Sequence, residues 1–215
     1  MRKIREPFNG FSHLVGLLLS AVGLVFLIYS GLAQGTARHL VSFLIFGISL
    51  ILLYAASTVY HMWPQAWRGI KLLRRIDHIM IYILIAGSYT PFCLVALRGA
   101  WGYSLLSFIW GAAVSGVIIS FCRIKLSRWL STAIYLGMGW AVVVAIIPLV
   151  RALPPAGMLW LVAGGLFYSI GAIFYGTKWP KLCPGVFSFH ELWHLFVMAG
   201  SISHYWTVLR YVSAI

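Results

Sequence analysis

Residues Leu40–Met62 read LVSFLIFGISLILLYAASTVYHM, a run with no Asp, Glu, Lys or Arg whose one imidazole, His61, arrives in its last turn. At 1.5 Å of rise per residue, such a helix covers the roughly 30 Å of hydrocarbon in a bilayer. Once this stretch is taken as a membrane crossing, the rest of the chain divides in the same way. Apolar runs bounded by charge or Pro recur at Phe11–Ala33, Ile79–Leu97, Trp101–Phe121, Trp129–Val150, Gly157–Gly176 and Phe189–Leu209. Each has about the length one crossing needs. Continuous runs of this kind exclude a membrane barrel, whose strands would be short and alternating. The intervening gaps are too short for a folded domain. The expected fold is therefore an all-α membrane protein, a seven-transmembrane helix bundle forming one domain over residues 1–215.

Composition leads to the same place. Of 215 residues, 62% are hydrophobic and 9% charged, and the mean hydropathy is +0.95; a soluble globule with a charged surface cannot be assembled from them. The net charge of +13 raises nucleic acid as a partner. The 16 Lys and Arg residues are scattered through short gaps and form no basic domain, so that class is set aside. Three cysteines, Cys93, Cys122 and Cys183, have no paired spacing and imply neither a disulfide framework nor a thiolate cluster. The first apolar run follows Arg2, Lys3 and Arg5 but is too long for the core of a cleaved signal, and is read as a retained helix.

Orientation follows from the positive residues. The N-terminus and the second, fourth and sixth gaps hold twelve: Arg2, Lys3, Arg5, Arg68, Lys71, Arg74, Arg75, Arg123, Lys125, Arg128, Lys178 and Lys181. The opposite side holds four, Arg38, Arg98, Arg151 and Arg210. Because basic loops stay in the cytoplasm, the N-terminus is expected inside and the C-terminus outside. The expected location is a bacterial inner (plasma) membrane, crossed several times.

Ionisable residues within spans are costly and mark function, and few are available. The acidic residues are Glu6, Asp77 and Glu191. Ser57 and His61 stand one turn apart at the end of the second span, Asp77 precedes the third, and His190 and His194 open the seventh at i, i+4. With the N-terminus inside, all five lie at one depth near the cytoplasmic face, provided that helices two, three and seven pack together. His204 lies ten residues beyond His194, about 15 Å deeper, and cannot join them.

Three neutral imidazoles with an open fourth position form a catalytic zinc arrangement, in which bound water loses a proton near neutral pH. His61, His190 and His194 are the candidate ligands. Asp77 and Ser57 are the candidate catalytic groups, one as proton acceptor and the other as hydrogen-bond donor to water or a carbonyl. Zn²⁺ is preferred to Mg²⁺ or Ca²⁺ because imidazoles suit it and hard cations need carboxylates. The bland alternatives are a His61 that answers the helix dipole and an Asp77 that offsets Arg74 and Arg75 or caps its helix; a shared depth favours the site. Glu191 completes an HExxH string, in which it would be a general base. It also closes an S-x-x-E capping box with Ser188. The capping reading is preferred, because the third histidine comes from a distant helix. His13, His39, His78 and His204 are read as interfacial or packing residues.

Together, Ser57-x-x-x-His61, Arg75-Ile-Asp77-His78 leading into Ala86-Gly-Ser-Tyr-Thr-Pro-Phe92, and Phe189-His-Glu-Leu-Trp-His-Leu-Phe196 resemble the hemolysin III family. That family is the bacterial branch of the progestin and adiponectin receptor superfamily, and the likeness covers essentially the whole chain. The resemblance implies a seven-helix bundle with a cytoplasmic N-terminus and zinc on His61, His190 and His194, with Ser57 and Asp77 beside the zinc-bound water. The wider superfamily is also similar to the alkaline ceramidases, which implies metal-dependent hydrolysis of a lipid amide or acyl bond, with a membrane lipid as substrate or ligand. The alternatives are a non-enzymatic, receptor-like or membrane-homeostasis protein with structural zinc and, less favoured for want of a polar stripe along the helices, a pore-forming cytolysin.

Overall fold

The computed structural model describes residues 4–64, 66–183 and 187–215; Arg2 and Lys3, counted above toward orientation, lie outside them. Among the described residues the chain forms seven helices. They are α1 (Pro7–Ala33), α2 (Ala37–Met62), α3 (Ile70–Pro91, continued as a wider π-helical turn over Phe92–Leu97), α4 (Gly99–Phe121), α5 (Arg128–Ala152), α6 (Pro155–Thr177) and α7 (Phe189–Arg210). Six of them, α1 to α6, are long and apolar enough to cross a membrane, and the protein is a multi-pass membrane protein. The seventh is as long as the others, but it carries His190, Glu191, His194, Ser201, Ser203, His204, Thr207 and Arg210.

Local chemistry sets the ends. α1 and α6 begin with Pro at their first positions, where the missing N–H costs nothing. The Thr36 side chain accepts the His39 backbone N–H at the start of α2. That helix stops at Trp63, which is extended (φ −75°, ψ 142°) as a residue before Pro must be. α3 starts nine residues before the expected Ile79. The Lys71, Arg74 and Arg75 stretch is thus helical, because Lys, Leu and Arg favour helix and no Gly or Pro lies between Gly69 and Gly87. Asp77 is consequently two turns inside α3.

The expected fifth span is broken. Arg128–Trp140 is α-helical, Ala141–Ala145 is a 3₁₀ turn and Ile146–Ala152 resumes the helix. Pro148 explains the break, since it has no N–H and crowds the carbonyl four residues earlier. In hydrocarbon the freed groups need new partners, and Tyr89 supplies one. Its hydroxyl lies 2.8 Å from the Met138 carbonyl and 2.7 Å from that of Gly139, and accepts the Val142 N–H at 2.9 Å.

Leu53, Leu84 and Val197, from helices two, three and seven, belong to one buried core, but α7 packs chiefly against α6 and α1 and not, as the sequence reading supposed, against α2 and α3. What the sequence reading did not anticipate is the role of α1. It packs along α2 and also against α7. Its small residues face inward, so that a Cβ on Gly16 would stand 2.8 Å from the Tyr54 ring and one on Gly23 2.9 Å from that of Tyr205. Tyr205 donates to the Gly23 carbonyl at 3.0 Å. The large side chains of α1, among them Leu18, Val22, Val25 and Phe26, point outward, as they should toward lipid.

Replacing Tyr89 with Phe strips the α5 break of its partner. Thermal unfolding of the detergent-solubilised Tyr89→Phe protein is expected to show a loss of about 1–3 kcal/mol; unchanged unfolding would mean that water satisfies those groups equally well.

Candidate metal centre

The end of α2 and the start of α7 bring three imidazoles together. One ring nitrogen from each of His61, His190 and His194 lies within 4.8 Å of the other two. The rings meet edge-on, with centroids 5.1 Å apart for His61 and His190, 4.6 Å for His61 and His194, and 5.0 Å for His190 and His194. The last pair follows from one helical turn, since i and i+4 share a face; the pairs across helices depend on tertiary packing. His61 and His194 are buried and His190 partly so. Three nitrogen donors with no thiolate and no carboxylate among them suit a borderline divalent ion such as zinc, and this group can hold a metal ion.

A cavity of about 1170 Å³ opens beside them. Ser57, Asp77, His190 and His194 all line it, whereas His61 does not and sits behind the wall. Asp77 is not in the three-histidine group; its Oδ2 lies 3.7 Å from His78 Nδ1. Arg68, Arg74, Arg123 and Arg128 line it, as do the apolar Leu53, Ile81, Leu84 and Val197. The cavity continues to His204, whose Nε2 lies 3.3 Å from the Leu161 carbonyl. As the rise per residue required, His204 is no part of the cluster.

The capping reading of Glu191 is borne out. Its Oε2 accepts the Ser188 backbone N–H and hydroxyl, each at 2.8 Å, and completes the capping box of α7. Its other oxygen accepts from Asn9 Nδ2 at 3.1 Å, which ties α1 to α7.

Sequence reading missed the contribution of α1. Glu6 Oε2 lies 2.6 Å from His61 Nδ1 and 3.6 Å from His190 Nδ1, and Asn9 Nδ2 donates to it at 3.1 Å. The His13 ring lies against that of His194, 3.8 Å between centroids and 34° from parallel, so its assignment as a packing residue holds, with a metal-binding candidate as its neighbour. Burial alone would raise the Glu6 carboxyl; its contacts with His61, His190 and Asn9 outweigh that and hold the group at about 2. The missed signal was spacing. Positions 6, 9 and 13 fall on one helical face, in a chain with only three acidic residues.

The fold and site together define a multi-pass helical membrane protein with a three-histidine centre at one end of the bundle. The family model described as "Haemolysin-III related" matches residues 1–205, and the chain belongs to that family. It is 42% identical over 206 residues to "Hemolysin-3 homolog" of Bacillus subtilis (strain 168), covering 96% of this chain and 93% of the relative. It is likewise 42% identical over 207 residues to "Hemolysin-3" of Bacillus cereus, covering 96% and 91%. A more distant relative, "Heptahelical transmembrane protein ADIPOR3" of Oryza sativa subsp. japonica, is 27% identical over 190 residues, covering 77% and 45%. The resemblance seen in the motifs is thereby borne out, including its reach toward the adiponectin-receptor side.

Metal analysis of protein purified without chelators is expected to find a single zinc ion per chain, and His61→Ala and His194→Ala are each expected to lose it, because two remaining ligands bind zinc far more weakly. Full zinc content in either variant would exclude the three-histidine centre.

Proposed function

We propose that the protein is a zinc-dependent membrane hydrolase that cleaves a lipid amide or acyl bond. All seven helices cross a bacterial plasma membrane in this reading, with the N-terminus in the cytoplasm and the centre near the inner leaflet. The observation that carries it is a lipid-sized cavity whose wall holds two of the three imidazoles together with Asp77 and Ser57. A metal used only as a staple has no need of an open cavity beside it. The apolar residues of the lining suit an acyl chain, and its arginines suit the headgroup level of a membrane. α7 brings His190 and His194 to this centre, and Ser201, Ser203, His204 and Thr207 further along it lower its apolar character as well.

Zinc held by His61, His190 and His194 would polarise an acyl carbonyl and make water a better nucleophile at neutral pH. The Asp77 carboxylate accepts the proton of the attacking water as the oxygen bonds to the acyl carbon. The C–N or C–O bond then breaks, and Asp77 returns the proton to the departing amine or alcohol. Ser57, buried in the wall, donates to the carbonyl oxygen and holds it in line. The apolar residues of the lining, Leu53, Ile81, Leu84 and Val197 among them, lower the local dielectric and strengthen these interactions.

A second reading, structural zinc in a non-enzymatic receptor-like or homeostasis protein, draws support from the way the centre joins the ends of α1, α2 and α7. The pore-forming reading, which the name "Hemolysin-3" of two relatives evokes, is not adopted. The outward faces are apolar, and the imidazoles of the three-histidine group gather at one site instead of forming a polar stripe along the helices.

Fatty-acid release from a fluorescent N-acyl lipid and from a matching O-acyl lipid in mixed micelles is the direct test. Wild-type protein is expected to release fatty acid from at least one of them, and Asp77→Asn to lower the rate by about 10²–10⁴-fold while retaining zinc. Equal release by wild type, Asp77→Asn and His61→Ala would remove the hydrolase reading and leave structural zinc.

A further inference from the structure

Glu6 stands where a side chain commonly caps its own helix, yet it makes no capping hydrogen bond to α1. Its backbone N–H instead donates to the His61 carbonyl at 3.1 Å, and its carboxylate reaches the His61 ring at 2.6 Å. Both carboxylate oxygens are engaged by protein. Oε1 lies 3.1 Å from Arg5 Nε, and Oε2 meets His61 and the amide of Asn9. The Asn9 amide spends its two hydrogens on two carboxylates, Glu6 and Glu191, so its orientation is unambiguous and one buried side chain joins two of the three acidic residues in the protein.

An ionised carboxylate only accepts hydrogen bonds. Nδ1 of His61 must therefore carry the proton, and Nε2 is the nitrogen left with a lone pair for a metal. A carboxylate in this position fixes the tautomer and the plane of the ring and makes the imidazole a better donor. His61 needs such help more than its partners do. His190 and His194 are aligned by a shared helix, whereas His61 comes alone from the C-terminal end of α2, where helices fray.

We infer that Glu6, held by Asn9 and Arg5, is the positioning residue of the metal centre: it orients His61 for metal binding and makes the first turn of α1 part of the site. The inference rests on the metal-centre reading above. It differs from a merely structural role for Glu6, in which the carboxylate would hold α1 to α2 and the affinity for metal would follow stability alone.

The test is zinc affinity of the full chain in detergent, measured by competition with a chromophoric chelator, together with the visible spectrum of the Co²⁺-substituted protein and the melting temperature of the metal-free form. Glu6→Gln, nearly the same in shape but without the charge, is expected to weaken zinc binding roughly 10- to 100-fold and to alter the Co²⁺ bands, with little change in metal-free melting. Glu6→Asp keeps the charge but withdraws it by one methylene, and is expected to lose less. It carries the test alone should Glu6→Gln not fold. Wild-type affinity and an unchanged Co²⁺ spectrum in both variants would overturn the inference and leave the centre intact. A loss of affinity matched by an equal loss of metal-free stability would make Glu6 structural and also overturn it. Failure of the wild-type protein to bind zinc or Co²⁺ would remove the metal-centre reading itself, and this inference with it.

Discussion

The convergence of imidazoles at one end of an apolar bundle is the constraint on which the rest of this protein depends. Hydrocarbon offers nothing to a ring nitrogen, so each buried histidine needs a partner. For His61 the partner is the Glu6 carboxylate from the start of another helix, whereas Nδ1 of His194 and both ring nitrogens of His13 are buried without one among the described residues. His61 ends α2, His190 and His194 open α7, and Glu6 and Asn9 stand at the first turn of α1. The carboxylate between them turns three helix ends into one polar unit. A bilayer does not drive helix association the way water does; a polar unit of this kind gives these ends a reason to meet in one register.

The cavity shows the other side of the same arrangement. The polar unit lies where α1, α2 and α7 meet, and Ser57, Asp77, His190 and His194 line the open space beside it. The part of α5 that lines the cavity ends at Trp140, just before the 3₁₀ turn, and Tyr89 from α3 satisfies the break that follows.

The family relationship sets the scale of what is shared. Relatives at 42% identity match over nearly their whole length, so the bundle described here is a family architecture and not an arrangement peculiar to one chain. The name those relatives carry describes lysis, whereas the geometry gathers its polar chemistry at a single buried centre and leaves the outer faces apolar.

Much of this was legible in the chain itself. Long apolar runs with no acidic residue can only be helices in a membrane, because backbone groups in hydrocarbon must pair within their own segment. A histidine pair at i, i+4 is aligned by helical geometry before any tertiary contact forms, and the Ser188 and Glu191 capping box is equally local. Ser57, His61 and Asp77 could be placed at a common depth because helix rise converts sequence distance into height. Height is not azimuth, however, and rotation about each helix axis is decided by packing. That is why the bridging place of α1, the hold of Glu6 on His61 and the exclusion of His61 from the cavity wall emerged only with the tertiary structure. Pro148 announced a break in α5, but only the folded bundle could bring the Tyr89 hydroxyl to it, since the two lie on different helices and meet through contacts that no local pattern encodes.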